Sequence, residues 1–229
     1  MKGPVEYIKA SWQIYFKKEN FLFFAKIMVV LTIVSTVISY SHTYISQFVL
    51  SPDPVRFNFN NVPLTILYFS IALFSFVFYF YSQVTTYLSV INMGVLEKDV
   101  FKLGYKNMWK FFVISLVIGL IVGFGALLLI VPAIIFGIWY SFSAFFVLDK
   151  GLGVGEALKQ SKALAKGKFW AVLGRNMVFG LFGFLIGFVV ALIPYAGSII
   201  VSFLAPLFLL PSYLFYRDLS AGFKDFGTV

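Results

Sequence analysis

The sequence predicts an all-α integral membrane protein: six transmembrane helices in three units, each a cytoplasmic amphipathic helix followed by a transmembrane hairpin. Three observations predict it. Hydrophobic residues make up 61% of the 229-residue chain and charged residues 12%, with a mean hydropathy of +0.94. A soluble domain carries about 25% charged residues, so this chain cannot cover its apolar surface with a water-facing shell, whereas a bilayer suits it. Apolar runs of bilayer length recur along the chain. Finally, of the 18 Lys and Arg residues, Arg56 alone falls on one side of the implied topology. Positive charge marks the cytoplasmic side, so both termini are expected there, which six spans satisfy and five or seven do not.

Residues 1 to 20 begin the first unit. Val5, Ile8, Trp12 and Tyr15 fall on one helical face, with Lys2, Lys9, Lys17 and Lys18 around it, the pattern of a helix lying in the interface. The basic segment is too long and aromatic, and the run after it too long, for a cleavable signal peptide. The first span is expected over about residues 21 to 44, with Lys26 snorkelling to the headgroups. A polar connection, 45 to 63, carries Pro52, Pro54, Pro63 and the run Asn58 to Asn61. The second span, about 64 to 95, exceeds the roughly 20 residues needed to cross and must tilt or project.

Residues 97 to 110 open the second unit as a basic helix, with Lys98, Lys102, Lys106 and Lys110 every four residues. The third span follows over about 111 to 130, then an uncharged, tight turn and the fourth span, about 133 to 148. Asp149 to Lys168 form the third basic helix, with Lys159, Lys162 and Lys166 as its stripe and Glu156 at the positive end of its dipole. The fifth span is expected over about 169 to 193, with Pro194 at the turn. The sixth, about 197 to 216, is interrupted by Pro206 and Pro211, and residues 218 to 229 form a cytoplasmic tail. The three units, about 1–96, 97–148 and 149–217, form a single membrane domain. Trp12, Trp109 and Trp170 sit where a basic segment meets a span, as an aromatic belt requires.

The stretch from Leu127 carries a run of Leu, Ile and Val, then Pro132, Ile134, Asp149, Glu156, Ala157, Leu158, Ser161, Lys166, Gly167 and Trp170. It resembles a bacterial and archaeal family of six-span membrane proteins. In some members this domain precedes a glycerophosphoryl diester phosphodiesterase, which names the family; stand-alone YciC-type members have no settled activity. Ala133 departs from the family's usual Gly and Ala144 from a frequent Pro. The resemblance implies a six-span fold in the prokaryotic cytoplasmic (inner) membrane; with the phosphodiesterase domain missing from this chain, it implies little about activity.

Chemistry is sparse. There is no cysteine, and His42 is the one histidine, so disulfides, thiol catalysis and Cys- or His-rich metal sites are excluded. No metal or cofactor is called for. A net charge of +9 would suggest nucleic acid in a soluble protein; here it holds span ends, and no nucleic-acid partner is expected. Every acidic residue lies at or beyond a span end, which counts against a proton relay or an ion-coupled transporter. Asp149 and Glu156 are read as a span end and a helix start rather than a catalytic pair.

Two candidate sites remain. Ser82, Thr86, Ser89 and Asn92 share one face of the second span; with Tyr140, Ser143, Arg175 and Asn176 they are a candidate polar pocket facing the cytoplasm. The plainer reading is interhelical hydrogen bonding and a snorkelling arginine. Lys102, Lys106, Lys159, Lys162 and Lys166 are the candidate surface for anionic headgroups or a partner protein. Gly119 with Gly123, and Gly183 with Gly187, form GxxxG faces that suit packing within the bundle or a homo-oligomer. The outer half reads as dry, dominated by Phe, Leu, Ile and Val. The expected function is therefore non-enzymatic: a scaffold or accessory subunit binding anionic lipid, or a membrane or cytosolic partner. The alternative is a transporter or lipid-translocating protein.

Overall fold

The structure is a computed structural model that describes residues 1–49, 62–193 and 196–222. Among these residues the chain is helical: α1 (Pro4–Phe16), α2 (Lys18–Val49), α3 (Val62–Ile91), α4 (Glu97–Leu128), α5 (Ile130–Tyr140), α6 (Ser143–Asp149), α7 (Val154–Ala165), α8 (Phe169–Ala191) and α9 (Gly197–Ala221). Six of the expected spans appear as helices long and apolar enough to cross a membrane: α2, α3, α4, α5 with α6, α8 and α9. The expected connection features Pro52, Pro54, Arg56 and Asn58 to Asn61, the turn residue Pro194, and Lys224 and Asp225 of the tail lie outside the described residues.

α1 starts at Pro4, whose fixed φ and missing N–H suit a first helical turn. Of the apolar face Val5, Ile8, Trp12 and Tyr15, Tyr15 is buried in the protein together with Tyr7 and Ser11, while Val5 and Trp12 are exposed. The reason is the solvent. Against lipid, apolar side chains gain nothing by turning inward, and the residues that need hydrogen-bond partners take the protein side. The Tyr7 hydroxyl donates to Asp218 Oδ2 at 2.8 Å and the Tyr15 hydroxyl to the Phe203 carbonyl at 2.7 Å.

The second basic segment is not a helix of its own. Residues 97 to 110 run without a break into the third span, making α4 a single 32-residue helix. Nothing there forces a stop: Gly104 is the only weak helix former, and it packs against Thr85 and Tyr81 of α3, where a Cβ would collide with Thr85 Oγ1. The fourth span, expected as one helix, breaks at Ser141–Phe142 into α5 and α6. The three basic segments therefore take two forms, separate helices in α1 and α7 and a continuous extension in α4. The last helix runs past the expected end at Tyr216, so Asp218 belongs to α9 rather than to a tail. Gly151 and Gly167 bracket α7 with φ of 67° and 80°, values that a residue with a Cβ adopts at a cost.

α3 and α9 are the central helices. α3 packs against α2, α4, α6 and α9; α9 packs against α1, α2, α3 and α8. The core lies at one end of the bundle, from Phe23 to Leu31 of α2, Val84 to Val90 of α3, Phe142 to Leu148, and Leu207 to Leu219 of α9. Every described Lys and Arg is on segments at this end. At its centre the Tyr216 ring packs against Phe142, Phe145, Phe146 and Tyr213. At the opposite end Phe69, Leu127 and Val189 are exposed, as side chains facing lipid are.

Candidate functional site

The broken fourth span is held by α7. The Phe142 N–H donates to Ser161 Oγ at 3.2 Å, and the Ser161 hydroxyl donates to the Trp139 carbonyl at 2.7 Å. One fully buried hydroxyl thus satisfies two backbone groups that the break frees from the helical ladder. Tyr216 ties the end of α6 to α9 by donating to Asp149 Oδ2 at 3.1 Å. The Lys162 ammonium sits 4.3 Å from the centroid of the Trp139 ring, and Ala157 and Ala165 are fully buried, letting α7 approach closely. Asp149, Ser161 and Gly167 therefore have structural work in this joint.

The residues predicted as one polar pocket have separate surroundings. Thr86 donates to the Ser82 carbonyl, Ser89 to the Thr86 carbonyl and Asn92 to the Leu88 carbonyl, all within α3 and its end. Tyr140 is half-buried at the end of α5; Ser143 is fully buried, its Oγ without a partner among the described residues. Arg175 is spent on the N-terminal segment. Its Nε and Nη2 donate to the Lys2 carbonyl at 3.2 and 2.7 Å, its Nη1 to the Ala171 carbonyl at 3.1 Å, and its guanidinium lies over Phe215. Tyr7 completes this N-terminal clamp; burial, then the hydrogen bond to Asp218, push its pKa up to about 12. Lys26, expected to snorkel, instead pairs with Glu97 at 2.8 Å and ties α2 to α4.

Two regions of open volume flank α9. One, of about 360 Å³, lies beside the break in the fourth span. Asn176 borders it with Ser141, Ser212 and the rings of Tyr87, Phe142 and Phe208. The other is a cleft between α2, α3 and α9, made of adjoining cavities of about 380, 400 and 130 Å³ that all share Ser35. Ser82 and Thr86 border its inner part. Farther out it is lined by Thr32, Thr36, Ser39, Ser75, His42 and Ser202. The outer half of these three helices is therefore not dry as expected. The signal was in α2, where Thr32, Ser35, Thr36, Ser39 and Thr43 recur at helical spacing, diluted among Val and Ile.

The basic residues are presented outward. Lys102 and Lys106 on α4 and Lys159, Lys162 and Lys166 on α7 are all exposed, and none of the five forms an ion pair with a described residue. Trp109 and Trp170 beside them are 70% and 80% exposed. Among the described residues no group of three His, Cys, Asp or Glu side chains could hold a metal ion. Comparison with known protein families, curated proteins and solved structures finds no match.

Proposed function

We propose that this chain is a non-enzymatic scaffold or accessory subunit of the prokaryotic cytoplasmic membrane, with both termini inside, that binds anionic lipid through its basic end. The observation that carries this reading is the set of exposed lysines on α4 and α7 and at the C-cap of α7, none ion-paired with a described residue, level with exposed tryptophans, at the end that holds the buried core. Each such lysine near an anionic leaflet contributes about 1 kcal/mol. The burial of Ser161 and Gly167's place in a turn support kinship with the six-span family, since they give its motif a structural reason. That kinship, and the three-unit repeat, are part of the proposal.

A transporter or lipid-translocating protein is the second reading, favoured by the hydroxyl-lined cleft beside α9, although α9, expected to be interrupted at Pro206 and Pro211, runs through both as one continuous helix. Against it stands the apolar, aromatic core at the basic end, built on Phe142, Phe145, Phe146, Tyr213 and Tyr216. Native mass spectrometry on protein gently extracted from its own membrane tests the leading reading. A fixed number of bound anionic lipids, or a recurring partner protein, supports it; a chain free of both refutes it.

A further inference from the structure

We propose that the cleft between α2, α3 and α9 binds the uncharged, polyhydroxylated headgroup of a bilayer amphiphile, of the class of a monoglycosyl diacylglycerol. This stands apart from the basic-end reading, because cleft and lysines are at different depths of the molecule.

The lining is chemically uniform. Three helices contribute hydroxyls: Thr32, Ser35, Thr36 and Ser39 from α2, Ser75 and Ser82 from α3, Ser198 and Ser202 from α9. None of the lining residues is Asp, Glu, Lys or Arg, and the imidazole of His42 at the cleft's outer part is packed against the Tyr68 ring. A phosphate or ammonium entering this depth would lose its hydration without a counter-charge, which is costly. A polyol does not meet that penalty. Its hydroxyls donate and accept, as do those of Ser and Thr.

The hydroxyls are also available. The usual fate of a helical serine in lipid is to donate to its own backbone four residues back, as Ser75 and Ser202 do to the Ile71 and Ser198 carbonyls. Thr32, Ser35, Thr36 and Ser39 donate to no acceptor among the described residues. Pro206 has no N–H to offer the Ser202 carbonyl, freeing one more acceptor on the α9 wall. Volume and shape agree. Cavities of about 380 and 400 Å³ are of the size of a small-molecule site. The rings of Tyr40, Phe78 and Tyr79 on their walls offer flat apolar faces to the C–H side of a sugar ring. The walls end on lipid-facing residues such as Val37 and Phe69, so an acyl chain stays in the bilayer while the headgroup is held.

The test places the whole chain in nanodiscs containing equal fractions of monoglucosyl diacylglycerol, phosphatidylglycerol and phosphatidylethanolamine, and reads retained lipid by native mass spectrometry. The comparison is with Thr36→Val and Ser39→Ala, singly and together. Both positions are exposed and contribute no hydrogen bond to the fold, so folding is preserved. The expected result is preferential retention of the glycolipid that falls at least fivefold in the double variant, with phosphatidylglycerol retention unchanged. Absence of a glycolipid preference, or a preference intact in the double variant, overturns the proposal. Loss of phosphatidylglycerol alone, in lysine variants, bears on the basic end and not on the cleft.

Discussion

Replacing Ser161 by alanine is expected to unlatch α7 from the broken fourth span. The hydroxyl is fully buried and serves two backbone groups, the Phe142 N–H at 3.2 Å and the Trp139 carbonyl at 2.7 Å. Neither has a substitute, because the break at residues 141 and 142 removes the helical partners and the surroundings are the apolar core. A buried group left unpaired costs about 1–3 kcal/mol, so the pair together costs about 2–6 kcal/mol. If α7 opens locally, 2 kcal/mol corresponds to about 30-fold faster amide exchange over residues 154 to 165, at tenfold per 1.4 kcal/mol. Hydrogen–deuterium exchange in nanodiscs reads this directly. Ser11→Ala is the control: Ser11 is equally buried, but its hydroxyl donates to the Tyr7 carbonyl of its own helix, which keeps its helical donor. A Ser161→Ala exchange rate within threefold of wild type, or one no larger than that of Ser11→Ala, would refute the clamp.

Gly104→Ala should destabilise the bundle by about 1–3 kcal/mol, because its Cβ meets Thr85, whereas Gly119→Ala and Gly123→Ala, facing open space, should leave it equal or more stable in thermal melts. Arg175→Ala should release the N-terminal segment, read as faster proteolysis within residues 1 to 16, because two of its three hydrogen bonds hold the Lys2 carbonyl. Tyr7 donates to Asp218 with its pKa raised to about 12 from 10. The folded state holds that proton more tightly than the unfolded one, so the contribution is complete below pH 10 and is lost as pH rises from 10 to 12. The stability gap between wild type and Tyr7→Phe should therefore close over that window in a pH series. The chain has no cysteine, so single cysteines at Lys162 and Gln47, both exposed, should label from opposite sides of the membrane with an impermeant maleimide.

The six spans were legible because hydropathy and length are set by the bilayer, and the structure places helices over all six runs. Boundaries were less legible where packing decides them. α4 swallowed the second basic segment because its one glycine is a contact and not a break, while the fourth span broke at Ser141–Phe142, where no proline announces it. In α1 the apolar stripe was legible but the protein-facing side was not: Val5 and Trp12 are exposed, while Tyr7, Ser11 and Tyr15 face the bundle, where their hydroxyls find acceptors. The GxxxG glycines are not where helices of the bundle approach most closely. Gly119, Gly123, Gly180 and Gly187 have nothing against them, while Gly183 meets Phe208, and the closest approaches fall at Gly104, Gly125 and Gly197, which belong to no motif. Of the polar-pocket residues, Thr86, Ser89, Asn92 and Arg175 are spent on backbone carbonyls, and the hydroxyl cleft went unread because spacing alone cannot tell a stripe facing protein from one facing lipid.

The claim most exposed to direct test is that the basic end grips anionic lipid. Lys102, Lys106, Lys159, Lys162 and Lys166 are exchanged together for glutamine, and phosphatidylglycerol bound per chain is counted in nanodiscs at low and high salt. The expected result is a fixed complement on the wild type, reduced by high salt and largely lost in the variant, with the fold retained in detergent because all five side chains are exposed, less about 0.5–1 kcal/mol for the lost Lys162–Trp139 contact. An unchanged complement in the variant would contradict it.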